Sequence, residues 1–186
     1  MTFQEIKEFE SPCPILITSN RFTDERGYFN EIYKYSEFKQ HGIPEQFVQS
    51  NVSVSDFGVL RGLHFQRPPK PQGKLVHVLA GHIFDVAIDI RKNSKTFMKY
   101  VSVDLSSKIP QLFYIPPGYA HGFLSLSNGA IVHYQCTNEY DPTLDACIRW
   151  DDADININWP YTLNLIISEK DRNAKMLRDT NGLDTW

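Results

Sequence analysis

Nothing in this 186-residue sequence approaches the uncharged apolar length that spans a bilayer. The first ten residues are acidic rather than basic and hold no apolar stretch of their own, so no signal peptide is expected and the cytoplasm is the default address. Cysteine is sparse. Cys13, Cys136 and Cys147 are odd in number, far apart and without a C-x-x-C, which argues against both a disulfide framework and a zinc knuckle. Positive charge is not in excess either: a net charge of −3 excludes a general nucleic-acid binder and leaves room only for a local basic pocket that takes a small anion. Helical patterning is nearly missing, confined to a short start over 36–41 before Gly42 and a second at 168–171. With no repeat, low-complexity tract or linker, the expectation is one domain over 1–186. A chain of this length buries about 70% of its unfolded surface and needs no metal or disulfide to hold a core.

What the sequence does have is short β-type runs separated by Gly, Pro, Asn or Asp. The runs fall at 15–18, 29–35, 47–55, 60–65, 74–79, 82–90, 100–105, 112–115, 122–126 and 130–137, with two more at 146–149 and 163–167. Many short strands of this kind predict an all-β sandwich, barrel or jelly roll. The alternation in HVLAGHIFDVAIDI (77–90) predicts a hairpin that joins 74–79 to 82–90 through Ala80 and Gly81. On its second strand Phe84, Val86, Ile88 and Ile90 share one face, and Asp85 and Asp89 are expected on a solvated one. His77 and His82 flank that turn and are expected to be exposed or paired with strand neighbours. IPPGYAHGF (115–123) reads as a rigid turn that delivers His121 into an apolar strand.

The stretch VLRGLHFQ (59–66) places a cation, an imidazole and an amide on a segment apolar enough to be a buried strand. Strict alternation would send Arg61 and His64 to opposite faces, and Gly62 is where a bulge can turn one of them toward a shared cavity. A core strand with a satisfied histidine is the plainer reading of these eight residues. Six histidines also raise the possibility of a metal-dependent cupin, but that needs two His one residue apart, then a carboxylate and a third His; His64 is followed by Phe65 and Gln66 instead. A non-catalytic sugar-binding jelly roll is the other alternative.

Taken in order, several segments resemble one family. They are Phe22-x-Asp24-x-Arg26-Gly27-x-Phe29-x-Glu31, Gln49-x-Asn51-x-Ser53, VLRGLHFQ, Gln72-Gly73-Lys74-Leu75-Val76, and Phe84-Asp85-Val86-Ala87-x-Asp89-x-Arg91. IPPGYAHGF, Tyr134 before Cys136-Thr137, Tyr140-x-Pro142, Trp159-Pro160 and Ser168-x-Lys170-Asp171 complete the series. Together they resemble the dTDP-4-dehydrorhamnose 3,5-epimerase family over some four fifths of the chain. Departures are His77 in place of a common Arg, Asp145 where Glu is commoner, an unusual loop at 107–110, and a tail after Asp171 that matches nothing.

The resemblance implies a cupin-type double-stranded β-helix (jelly roll) with a few short helices. It also implies a homodimer to which about residues 1–50 contribute, no cofactor and no metal. The implied reaction inverts carbons 3 and 5 of dTDP-4-dehydro-6-deoxy-D-glucose. Epimerisation of a 3-carbon or 5-carbon alone, or a 3,4-ketoisomerase reaction on a related sugar, are the alternatives within the wider group. Such chemistry needs a base for the proton beside a ketone, a group to hold the enolate oxygen, and an acid on the opposite face. His64 suits the base, since a neutral imidazole is basic near pH 7. Asp171 matches its carboxylate partner, although by itself it reads as a helix-start residue. Tyr134, otherwise a core aromatic, matches the acid, and Lys74 the oxyanion holder. Implied substrate contacts are Arg61, Gln49, Asn51, His121 (with Asp85 behind it), Tyr140, Asp145 and Lys170, with Phe22, Arg26 and Glu31 reaching across the dimer. Neither nucleic acid nor membrane is expected as a partner.

Overall fold

A computed structural model describes residues 1–43, 46–181 and 183; positions 182 and 184–186 of the C-terminal tail lie outside the described residues. The strands in chain order are β1 (Thr2–Glu5), β2 (Ile15–Thr18), β3 (Arg21–Asp24), β4 (Gly27–Asn30), β5 (Gln49–Ser55), β6 (Val59–Gln66) and β7 (Lys74–Ala80). They continue with β8 (His82–Asp89), β9 (Tyr100–Ser106), β10 (Gln111–Ile115), β11 (Tyr119–Ser125), β12 (Ala130–Cys136), β13 (Asp145–Cys147) and β14 (Ile166–Ile167). Two short helices, α1 (Tyr35–Gln40) and α2 (Glu169–Arg172), accompany them. One sheet has the order β1-β2-β10-β7-β12-β5 and the other β13-β6-β11-β8-β9, with β14 on the edge of β6; β3 and β4 form a separate ribbon. The fold is all-β, as the strand spacing predicts, and is the cupin-type jelly roll that the resemblance implies.

Between the two sheets lies a core of Val76, Val78, Phe113, Ile115 and Val132 from the first and Ile83, Ala87, Leu105, Tyr119 and Phe123 from the second. Both outer faces are covered as well. Phe38 and Ile43 pack on Ile15, Ile17 and Leu112 of the first sheet. Ile148, Ile155, Trp159, Leu177 and Leu183 pack on Leu60, Leu63, Phe65, Val86 and Ile88 of the second. The C-terminal third of the chain thus occupies what would otherwise be the solvent face of that sheet.

Two expectations from the 74–90 region fail. The predicted hairpin does not form: β7 pairs with β10 and β12 while β8 pairs with β9 and β11, in the other sheet. Gly81, at φ +82°, makes a corner between sheets where a Cβ would lie 2.9 Å from Ala130 Cα. Period-two alternation continues through such a corner as readily as through a hairpin, so the pattern alone does not separate them. Asp85 and Asp89 are fully buried rather than solvated, because their strand is covered on both sides and their face is the interior of the sandwich. Asp89 is satisfied by Arg91, Ser94 and Thr96. His82 does pair with a cross-strand neighbour, Asp104, at 2.9 Å, but His77 is buried opposite His133. The 29–35 run is a strand only over β4 and the 163–167 run only over β14; β1 and β3 were not anticipated.

The bulge expected at Gly62 is present. His121 faces His64 and Phe123 faces Arg61, so three steps on β6 match two on β11. Leu60, Leu63 and Phe65 keep the outer face, and Arg61 and His64 both turn inward. Gly62 and Gly122 meet backbone to backbone: a Cβ on Gly62 would sit 2.5 Å from Gly122 Cα, and one on Gly122 would sit 2.7 Å from Arg61 O.

Gly62→Ala combines that overlap with an unfavourable φ of +128° and is expected to lose about 3 kcal/mol or more in urea unfolding, with activity falling alongside; an unchanged midpoint would mean the crossing is not tight. Burial, with His133 and Arg21 adding to it, holds His77 down to about 4 from an ordinary 6.5. The unfolded chain therefore binds this proton first as pH falls. The stability it supports is complete above pH 6.5 and is lost progressively down to about 4, up to about 3 kcal/mol. His77→Leu is expected to flatten thermal stability over that window.

Candidate active site

Seven of the implied residues line one cavity of about 420 Å³: Arg61, His64, Lys74, His121, Tyr134, Lys170 and Asp171. Arg61 and His64 arrive on β6 and His121 on β11, all from the second sheet, whereas Lys74 on β7 and Tyr134 on β12 come from the first. The cavity is therefore a gap in the inter-sheet core, with the histidines on one wall and the tyrosine and lysine on the other.

His64 Nε2 lies 2.6 Å from Asp171 Oδ1. Asp171 is both of the things its sequence position suggested. It stands in the first turn of α2, where its N–H donates to Ser168 Oγ at 3.1 Å, and its side chain reaches back into the cavity wall. Its second oxygen accepts the Gly62 N–H at 3.2 Å. Burial favours the neutral acid, but the His64 hydrogen bond and charge together with the Gly62 N–H outweigh it and hold the carboxyl below its usual range. An ionised Asp171 makes Nε2 the donor nitrogen of His64 and leaves the ring's lone pair on Nδ1.

A second histidine–carboxylate pair lies beside the first. His121 Nε2 meets Asp85 Oδ1 at 2.7 Å, both side chains buried. Burial lowers the His121 pKa; Asp85 opposes that, and Lys74 and His64 add to it. The other Asp85 oxygen is buried without a partner. Lys74 is 8% exposed and donates to the His64 carbonyl at 3.2 Å; burial pulls its ammonium below the ordinary lysine value. Burial pushes the Tyr134 phenol up, with Cys136 adding to the effect and Arg61 opposing it. Arg61 is steered by Ser55 Oγ at 3.0 Å and Val54 O at 3.1 Å, two uncharged acceptors that leave its charge for a ligand.

Four further residues form a chain outside the cavity lining. Gln49 donates to Asn51 at 3.0 Å and accepts the Tyr140 N–H at 2.6 Å. The Tyr140 hydroxyl donates to Asp145 at 3.2 Å, and Asp145 is in turn paired with Lys170. The shorter Asp145 therefore still reaches the cation beside the cavity. Phe22, Arg26 and Glu31 are not brought to this cavity within one chain: Phe22 and Arg26 lie on the β3–β4 ribbon, with Glu31 just after it. Arg26 pairs with its neighbour Asp24.

Sequence reasoning assigned no role to Ser53, whose hydroxyl faces the cavity lining and is buried without a partner. Its place two residues beyond Asn51 on a strand was the available signal. Phe123 and Ser168 also line the cavity, and Cys147 donates to Asp171 Oδ1 at 3.5 Å.

The sequence profile of the dTDP-4-dehydrorhamnose 3,5-epimerase family matches residues 11–179. A dTDP-4-dehydrorhamnose 3,5-epimerase of Methanothermobacter thermautotrophicus is 54% identical over 167 residues, which is 89% of this chain and 90% of that one. The Escherichia coli enzyme of the same name is 50% identical, covering 84% and 86%. Among solved structures, a dTDP-6-deoxy-D-glucose-3,5-epimerase of Legionella pneumophila in complex with dTDP-4-keto-L-rhamnose superposes with a TM-score of 0.91. That pair is 41% identical, over 97% of this chain and 94% of the other. With near-complete coverage in both directions, the chain belongs to the dTDP-4-dehydrorhamnose 3,5-epimerase family.

Proposed function

We propose that this protein inverts carbons 3 and 5 of dTDP-4-dehydro-6-deoxy-D-glucose to give dTDP-4-dehydro-L-rhamnose, by removing each proton α to the ketone and returning one to the opposite face. The observation that carries the reading is the split of the cavity between two sheets. A flat sugar ring held between them presents one face to His64 and the other to Tyr134. Inversion needs that arrangement, whereas simple binding does not.

His64 Nδ1 accepts the α-proton. The Asp171 carboxylate, anchored by Gly62 and Ser168, fixes the tautomer and stabilises the imidazolium as it forms. Lys74 meets the developing enolate oxygen; with its proton affinity lowered by burial, it gives a short, strong hydrogen bond to that oxygen. Tyr134 keeps its proton at neutral pH because burial raises its pKa, and it hands that proton to the carbanion from the first sheet. His121 with Asp85 provides a fixed polar contact for the sugar, and Arg61 and Lys170 supply positive charge for the diphosphate. Proton transfer of this kind calls on no cofactor.

The protein acts as a homodimer in this reading. Phe22, Tyr28 and Phe29 are large aromatics exposed on a two-stranded ribbon, the kind of patch that marks an interface. A ribbon inserted into a partner would bring Phe22, Arg26 and Glu31 to the partner's cavity. Among the described residues no helix is long and apolar enough to cross a membrane, and the three cysteines are free, which suits a reducing, cytoplasmic setting.

Incubation with the 4-keto-6-deoxy sugar nucleotide in deuterated water is expected to exchange the protons at carbons 3 and 5, read by NMR with product identification. His64→Ala should lose about 10²–10⁴-fold in exchange at both carbons. Tyr134→Phe should keep part of the exchange and lose net inversion; equal loss of both signals would sink the division of roles. For the dimer, Arg26→Ala and His64→Ala proteins, each impaired, are mixed and allowed to re-associate. Shared sites restore about a quarter of wild-type turnover, since half the dimers are mixed and each has one intact site. A mixture as inactive as its parents would place Arg26 outside the partner's site.

A further inference from the structure

Cys147 stands directly opposite His64 where β13 pairs with β6, so both side chains leave the sheet on the same side with their Cβ atoms about 5 Å apart. Asp171, delivered by α2, closes the third side. Its Oδ1 receives His64 Nε2 at 2.6 Å and the Cys147 thiol at 3.5 Å. One nitrogen, one sulfur and one carboxylate oxygen thus lie within 4.8 Å of one another, and no other trio of His, Cys, Asp or Glu among the described residues comes together in this way. The epimerisation described above uses the histidine and the carboxylate, and the thiol does no more than donate a hydrogen bond to that carboxylate. Burial, with Asp171 adding to it, pushes Cys147 up to about 12, so without a metal the sulfur stays protonated and unreactive.

We propose that His64 Nε2, Cys147 Sγ and Asp171 Oδ1 form an inhibitory site for a thiophilic divalent cation of the zinc class, which captures the base of the reaction; the inhibition, though not the binding, rests on the proposed epimerase function. Bonds of about 2.0–2.3 Å in tetrahedral geometry set neighbouring ligand atoms about 3.3–3.8 Å apart. Sγ and Oδ1 already meet that spacing, and His64 has to withdraw from Oδ1 by about 1 Å to reach it. A water takes the fourth position. The protons balance as follows: Nε2 gives up its hydrogen while Nδ1 takes one from solvent, so the ring stays neutral with its tautomer reversed. The thiol proton is released, one per cation bound. Nδ1, the atom that must accept the sugar proton, is then occupied, and Asp171 no longer supports an imidazolium. The sulfur selects zinc and cadmium over magnesium and calcium, which prefer oxygen ligands throughout.

The test uses full-length protein dialysed against a chelator and then titrated with Zn²⁺, Cd²⁺ or Mg²⁺. One equivalent of Cd²⁺ is expected to give a thiolate-to-cadmium charge-transfer band in the ultraviolet. Zn²⁺ should suppress turnover reversibly, with recovery on adding chelator, and Mg²⁺ should do neither. In Cys147→Ala and Cys147→Ser the band should vanish, while half-inhibition, relative to each variant's own metal-free rate, should require at least about tenfold more Zn²⁺. Cys13 and Cys136 remain in both variants and control for binding elsewhere. A band or a zinc sensitivity that survives both substitutions overturns the site. A band that depends on Cys147 in a protein that never turns over the ketosugar supports the cation site and removes the epimerase reading instead.

Discussion

The contact on which the rest of this molecule depends is the crossing of two backbones at Gly62 and Gly122. No side chain fits between them, and β6 fits one additional residue into the pairing with β11 at that point. The inserted residue restores an inward direction to His64 after Arg61 has already taken one, so a strand that should offer one functional side chain in this stretch offers two. The same Gly62 donates its N–H to Asp171. A backbone irregularity, the orientation of the base and the anchoring of its carboxylate are one structural event.

Around that point the cavity is a polar enclave in an apolar sandwich. Two imidazole–carboxylate pairs, the half-buried His64–Asp171 and the buried His121–Asp85, line the second-sheet wall and face Lys74 and Tyr134 on the first. Burial moves three of the groups here in opposite senses: it draws Lys74 and His121 down and pushes Tyr134 up. Asp171 resists, because it receives hydrogen bonds from His64, Gly62 and Cys147. The outcome is a set of donors and acceptors held in fixed positions on both walls, a suitable medium for moving a proton with little reorganisation.

Much of this was legible in the sequence, and the exceptions have a common cause. Strands 15–18, 100–105 and 130–137 are readable because their alternation and flanking turns are local properties. So is the bulge, since a glycine between a cation and an imidazole at odd spacing is the natural place for a strand to gain a residue. What sequence could not supply was which sheet a strand joins. The 74–90 stretch alternates without a break, yet it divides at Gly81 between two sheets, and Asp85 changes from an exposed carboxylate to a buried partner of His121 once both faces of its strand are covered. The outer cover comes from residues far along the chain, whose own pattern is irregular, and the inner one from the opposite sheet. Seven of the residues named from the ordered motifs line one cavity; Ser53 went unassigned although its place two residues beyond Asn51 on a strand was a signal.

The covering layer has a consequence of its own. Ile148, Ile155, Trp159 and Leu177 seal the outer side of the second sheet, and between Trp159 and Leu177 the same run supplies α2 and its aspartate. One segment of the polypeptide therefore both seals the second sheet and supplies the carboxylate that supports His64. Loss of that run would open the sandwich and leave the histidine without its carboxylate at the same time.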